Sequence, residues 1–278
     1  MRIFVYSRLL HNMNILFFGD IMGKPGRQGL LKALPDLKLK YNADFVIANG
    51  ENMSHGAGVT NSSYNEIING GVDFLTGGNH TWAKQEIDNI LEQKDARIIR
   101  PANYPPGAPG SGWKIIETGV YKILVINLLG RMFMKKHLDC PFRKIDEILS
   151  DDDLQDIKIK IIDFHAEATA EKVSLGYYVD GRVSALIGTH THIATSDARI
   201  LPKKTFYMTD AGMVGVKESV LGVNKESAIE QFLTQRPVRI EISESEGVCI
   251  NGIFMNIDYN TGLVKDFERI EKDVVLEI

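Results

Sequence analysis

Five short segments carry side chains that could do chemistry together: Gly19-Asp20, Gly50-Glu51-Asn52, Gly78-Asn79-His80, Asp163-Phe164-His165 and Gly188-Thr189-His190-Thr191-His192. Carboxylates, carboxamides and imidazoles in this mixture suit a pair of first-row transition metals, with iron, manganese, cobalt or zinc accepted according to availability. Each segment closes a stretch that reads as a buried strand. In an open α/β sheet the C-terminal ends of strands share one edge, so segments far apart in sequence meet there.

Singly, each residue has a plainer reading. Asp20 also fits a helix cap or a turn before the Gly-rich Gly23-Lys24-Pro25-Gly26. That turn lacks the Gly-Lys-Ser/Thr spacing of a phosphate-cradling loop. Glu51 offers two oxygens able to bridge two cations, or it is a solvated loop carboxylate. Asn79 suits an oxygen-rich catalytic centre better than a closed structural site. His80 fits a helix cap or, next to Asn79, an acid or base at a reacting phosphate. Strand alternation puts Asp163 and His165 on one face and Phe164 on the other. Alternate histidines on an extended segment, His190 and His192, likewise share a face and repel each other when protonated without a cation. His-x-His after a buried strand is the strongest local signal of the set. His55 reads as a loop histidine, and Arg131 as either a phosphate contact or a surface ion pair.

Two cations about 3.5 to 4 Å apart acidify a water held between them and clamp phosphate oxygens during in-line attack. Phosphoryl transfer then asks the protein mainly for positioning and charge neutralisation. His80 beside them is placed to protonate the departing alkoxide. No nucleophile elbow or Cys/His pair competes.

The elements that position these residues alternate. Ile15 to Phe18 is a continuous apolar run, and a helix opening near Pro25 carries Leu30, Leu31, Leu34 and Leu37. Strands at 45–48 and 72–76 and helices at 64–68 and 82–91 extend the series, predicting a largely parallel sheet covered by helices. A Pro- and Gly-dense loop spans 101–112. A hairpin of 114–117 and 121–127, strands at 157–164 and 183–187 and a helix at 168–178 follow. The tail from Val238 reads as short strands and turns without a catalytic cluster. Two sheets packed face to face with helices outside accommodate the whole.

With 278 residues, 44% apolar and 24% charged, the chain can bury a full core, read here as a single domain over 13–278. Residues 1–12 read as an N-terminal extension; Ser7 and Arg8 break its apolar opening and no small-residue cleavage site follows. A net charge of -4 gives no global field for long nucleic acid, leaving room for a local basic rim. No run reaches the roughly 20 apolar residues of a membrane span. Cys140 and Cys249 make no metal or disulfide framework, which points to a reducing cytoplasm.

At these segments the chain resembles the calcineurin-like metallophosphoesterase superfamily, and more closely its YmdB-like bacterial branch. Supporting stretches are Gly19-Asp20-Ile21-Met22-Gly23, Asn49-Gly50-Glu51-Asn52, Gly78-Asn79-His80-Thr81-Trp82, Arg100-Pro101-Ala102-Asn103, Asp163-Phe164-His165-Ala166-Glu167-Ala168-Thr169 and Gly188-Thr189-His190-Thr191-His192. The resemblance implies a four-layer αββα sandwich of two mixed sheets flanked by helices, a di-iron or di-manganese centre, and phosphodiesterase activity on cyclic nucleotides, 2′,3′-cyclic nucleotides above all. By motif it implies Asp20, Glu51, Asn52 and His192 around one metal, and Glu51, Asn79, His165 and His190 around the other. Glu51 would be the bridge and His80 the proton donor. Partners implied are a small phosphodiester substrate, including RNA-derived cyclic nucleotides, and no membrane; a homo-oligomer is open. Met22 stands where the superfamily has a ligating His, so Asn52 fills that slot. Thr81 and Ala83 stand where acidic residues are usual, which bears on the tuning of His80. A phosphomonoesterase and a slow, metal-dependent nucleotide- or RNA-binding regulator are the competing readings.

Overall fold

The computed structural model describes residues 12–119 and 121–277. In chain order the elements are β1 (Asn12–Ile21), α1 (Gly23–Tyr41), β2 (Phe45–Asn49), α2 (Asn61–Asn69), β3 (Phe74–Thr76), α3 (Glu86–Leu91), β4 (Trp113–Thr118), β5 (Tyr121–Leu129), α4 (Pro141–Leu149), β6 (Ile159–His165), α5 (Thr169–Tyr178) and β7 (Ala185–Thr189). There follow β8 (Arg199–Ile200), β9 (Phe206–Met208), β10 (Met213–Val216), α6 (Lys225–Thr234), β11 (Gly247–Asp258) and β12 (Val264–Val275).

Two six-stranded sheets result, in the orders β12-β11-β10-β1-β2-β3 and β4-β5-β6-β7-β9-β8. In the first, β10, β1, β2 and β3 run parallel, β11 runs antiparallel to them, and β12 is antiparallel to β11. In the second, β5, β6, β7 and β9 run parallel with antiparallel β4 and β8 at the edges. Both sheets are therefore mixed, as the two-sheet αββα reading expected.

Three apolar clusters define the layers. Phe17, Ile47 and Phe74 from one sheet meet Ile123, Ile161 and Ile187 from the other between the sheets. Leu30 and Leu34 of α1, with Ile67 and Ile87, cover the outer face of the first sheet over Leu16, Phe18 and Val46. Ile145, Ile148 and Leu175 cover Leu124, Ile162 and Phe164 on the second. Central strands buried on both faces must be apolar throughout, and this is why their runs are continuous instead of alternating.

Several expected boundaries move. Asn12, counted with the extension, opens β1 and pairs with Asp258, whereas residues 1–11 lie outside the described residues. Gly23-Lys24-Pro25-Gly26 is the first turn of α1 and not a free turn. Gly26 is required there because a Cβ would collide with the Val214 carbonyl. The helix expected from Trp82 starts at Glu86, after turns that carry His80 and Trp82. The tail holds two 12-residue strands, longer than its turn signals suggested. Among the described residues no helix is long and apolar enough to cross a membrane.

Candidate metal centre

The strand ends bring all eight expected residues together. Asp20 is at the end of β1; Glu51 and Asn52 follow β2; Asn79 and His80 follow β3. His165 closes β6, and His190 and His192 follow β7 of the other sheet. The centre therefore lies where the C-terminal ends of both sheets meet.

Four potential donor atoms converge on one point. His165 Nε2 is 2.9 Å from Asn79 Oδ1, 3.0 Å from His190 Nδ1 and 3.3 Å from Glu51 Oε2. Glu51, His165 and His190 each offer a ligand atom within 4.8 Å of the others. Beside them, Asp20 Oδ1 lies 3.8 Å from His192 Nε2 and 3.5 Å from Asn52 Nδ2, and Asn52 Nδ2 lies 3.2 Å from His192 Nε2. Asn52 turns Oδ1 to His80 Nδ1 at 2.8 Å; a half-turn of its amide presents that oxygen to Asp20 and His192 instead. Glu51 lies between the groups, and its buried Oε1 makes no hydrogen bond, although His80 Nδ1 is 3.0 Å away. Gly78 permits this approach: a Cβ there would overlap Glu51 Oε2 and stand 2.6 Å from His165 Nε2.

The outer nitrogens of the three histidines each face an oxygen. Thr189 Oγ1 donates to Asp163 Oδ1 at 2.7 Å, so His165 Nδ1–H donates to Thr189 Oγ1 at 2.9 Å. His192 Nδ1 donates to the Leu221 carbonyl at 2.9 Å, and His190 Nε2 is 3.1 Å from Glu167 Oε2. Each imidazole thus keeps its proton outside and turns a lone pair inward, as metal-ligating histidines do. Inward lone pairs, carboxylates and amide oxygens in one buried place leave donors too few; cations satisfy them.

The electrostatics agree. Burial raises Asp20 above its ordinary value despite His165 and His192. Burial also opposes ionisation of Glu51, yet the charges and hydrogen bonds of His165 and His80 hold its carboxyl well below the usual range. Burial would lower His165, but without a cation Glu51 above all, with Asp20 and Asp163, lifts it to about 9, so its inward nitrogen carries a proton at neutral pH that a bound cation would displace. Burial and the neighbouring His165 push His190 down to about 3, leaving it neutral, the form that ligates.

One expectation about local geometry fails instructively. His190 and His192 are not on an extended strand: β7 ends at Thr189, and the two residues have φ of 100° and 65°. Left-handed backbone turns both rings inward where strand alternation was expected to do so. At the position where an acidic residue is usual, the Thr81 hydroxyl donates to the Gly78 carbonyl and accepts from Gly78 N, closing the turn that carries Asn79 and His80.

Sequence reasoning set Asp163 beside His165 without a role of its own and missed Lys172, Asp210 and Tyr104. Asp163, which burial raises to about 6, accepts from Asn49, Thr76 and Thr189 at 2.9, 2.5 and 2.7 Å. Lys172 and Asp210 form a fully buried pair at 2.7 Å. Lys172 also donates to the Thr189 carbonyl, and Asp210 accepts from Thr191 N and Gly212 N, so the pair pins both ends of the histidine turn. The Tyr104 hydroxyl is buried and has no hydrogen-bond partner among the described residues; burial, with the Glu51 charge, raises it to about 12. None of these has a local motif, because each role arises from contacts distant in sequence.

A two-sheet αββα sandwich with oxygen and imidazole donors at the strand ends of both sheets is the architecture of a metal-dependent phosphoesterase. Residues 16–270 match the YmdB-like protein family. A 2′,3′-cyclic-nucleotide 2′-phosphodiesterase of Bacillus subtilis (strain 168) is 45% identical over 258 residues, covering 93% of this chain and 96% of that protein. A crystal structure of a novel phosphatase from Mycoplasma pneumoniae superposes with a TM-score of 0.89 at 35% identity, covering 95% of each chain. A hypothetical protein from Thermus thermophilus gives 0.87 at 38% identity, covering 94% of this chain and all of that one. The chain belongs to the YmdB-like family.

Proposed function

We propose that this protein is a dimetal phosphodiesterase that opens 2′,3′-cyclic nucleotides. Three histidines with inward lone pairs around Glu51 carry the reading, and the identity to the Bacillus subtilis enzyme supports the substrate class. Asp20, Glu51, Asn52 and His192 would hold one ion, and Glu51, Asn79, His165 and His190 the other, with Glu51 as the bridge. Iron or manganese suits this donor set best; cobalt or zinc would also enter it. When bound, the ions supply charge for the phosphate oxygens and a nucleophilic water at neutral pH.

The chain's own part is to place the ester and manage its protons. His80 sets Nδ1 against Asn52 Oδ1, near the Glu51 carboxylate, and leaves Nε2 to carry the transferable proton from a ring that is 44% exposed. Water adds to phosphorus, the bond from phosphorus to the 2′ oxygen breaks, and His80 protonates that oxygen, leaving a 3′-phosphate. The half-buried, unpaired thiols of Cys140 and Cys249 would persist in a reducing cytoplasm, the compartment we assign.

The test is hydrolysis of 2′,3′-cyclic AMP beside p-nitrophenyl phosphate by manganese- or iron-loaded protein. Diester turnover that yields 3′-AMP is expected. Preference for the monoester would favour a phosphomonoesterase, and loaded protein inert on both would favour a binding or regulatory role.

A further inference from the structure

One exposed segment is built as though to hold something. The loop from Gly130 to Asp139 leaves β5 at the rung where Leu129 pairs with His165, and Gly130 N donates to the His165 carbonyl at 2.9 Å. It therefore starts beside the metal centre. Both of its feet are pinned by buried Asn103, of the Arg100-Pro101-Ala102-Asn103 stretch that the hydrolytic site leaves unused. Asn103 Nδ2 donates to the carbonyls of Leu129 and Asp139 at 2.8 and 2.9 Å, and Asn103 Oδ1 accepts from Leu129 N at 2.9 Å. The Glu171 carboxylate also accepts from the backbone of Arg131 and Met132, at 3.0 and 3.1 Å.

What this scaffold presents is an aromatic ring among cations. Phe133 is 81% exposed and held at φ 63°, a conformation rare for a bulky side chain and found where surroundings impose it. Arg131, Lys135 and Lys136 are exposed, and among the described residues their side chains have no hydrogen bond or ion pair. No acidic residue lies between Gly130 and Leu138, in a chain whose net charge is -4. An exposed ring flanked by unpaired cations is the composition that stacks a base and tracks a phosphate backbone.

We infer that this loop is a recognition arm for single-stranded RNA ending in a 2′,3′-cyclic phosphate. The inference rests on the function proposed above. A mononucleotide has one phosphate, which the metal centre engages, and it leaves Arg131, Lys135 and Lys136 without a partner. An RNA end brings further phosphates on its 5′ side, and these give the cations a use. Phe133 stacks a base near the terminus, and the cations follow the chain outward.

The test compares kcat/KM for 2′,3′-cyclic AMP with that for a short oligoribonucleotide carrying the same cyclic end, across a salt series. Anisotropy of the labelled oligonucleotide reports binding independently of turnover. The expected result is a preference for the oligonucleotide that fades with salt. In the double variant Lys135→Gln, Lys136→Gln the salt slope should fall by about 1.4 and the preference should shrink. Phe133→Ala should weaken oligonucleotide binding about tenfold. Turnover of the mononucleotide without any preference, salt slope or variant effect would overturn the arm and leave the proposed function standing. Binding that responds to the variants without hydrolysis of either substrate would support the arm and remove the proposed function.

Discussion

Glu51 touches both halves of the centre, and a change of one atom there separates shape from charge. Glu51→Gln keeps the volume but removes the anion that balances His165 and His80, so both ions should be lost together. His80→Ala should instead retain metal and lower kcat about 10² to 10⁴-fold, the usual contribution of a positioned proton donor. Metal analysis beside single-turnover rates distinguishes the two. Tyr104→Phe removes a hydroxyl that bonds nothing within the fold. If that hydroxyl donates to substrate, KM should rise about tenfold with the melting temperature unchanged; an unaltered KM would remove Tyr104 from the site.

Among the elements, the turn after β7 does the most with the least regular structure. Its left-handed residues are expensive conformations that persist because Lys172 on α5 and Asp210 after β9 hold the flanking backbone. Lys172→Met leaves Asp210 buried without its cation and should cost about 3–5 kcal/mol in denaturant unfolding. Asp210→Asn removes the charge and sets an amide NH2 against N–H donors, so besides a comparable loss of stability it should loosen His190 and His192, lowering metal affinity about 10 to 100-fold. An isothermal titration equal to wild type would show that the pair serves stability alone. The strands that place the site were legible, because Ile15 to Phe18 and Phe45 to Ala48 are buried on both faces and apolar throughout, and 157–164 buries Ile157, Ile159, Ile161, Ile162 and Phe164 around its lysines. β9 and β10, of three and four residues, are too short to show a period. α4 carried a start signal, Pro141 in its first turn, and α6 buries only Ala228, so its pattern is weak. At the site, Asp20, Glu51, Asn52, Asn79, His80, His165, His190 and His192 were readable from strand-end placement and motif. Asn103 and Glu167 lay in quoted motifs but without a role, and Tyr104, Lys172 and Asp210 gave no signal, since only the folded chain gives them neighbours.

At the scale of the whole molecule, strand ends of both sheets contribute to the centre, so bound cations would act as a clasp between them. Chelation should lower the melting temperature as well as abolish turnover. The metal-free protein should also become sensitive to pH on both sides. His190, depressed to about 3 from 6.5, contributes stability that is present above about 6.5 and lost as pH falls toward 3. His165, raised to about 9, contributes stability that is present below about 6.5 and lost as pH rises through 9. Melting curves of chelated protein should therefore pass through a maximum between these limits, and metal should flatten both flanks.

The most direct measurement is metal content by mass spectrometry of elements, on wild type and Glu51→Gln purified and reconstituted alike, with 2′,3′-cyclic AMP hydrolysis followed on the same samples. Two ions per chain in the wild type, both lost with turnover in the variant, is the expected result. A Glu51→Gln protein that keeps both ions and its activity would contradict a dinuclear centre bridged by Glu51.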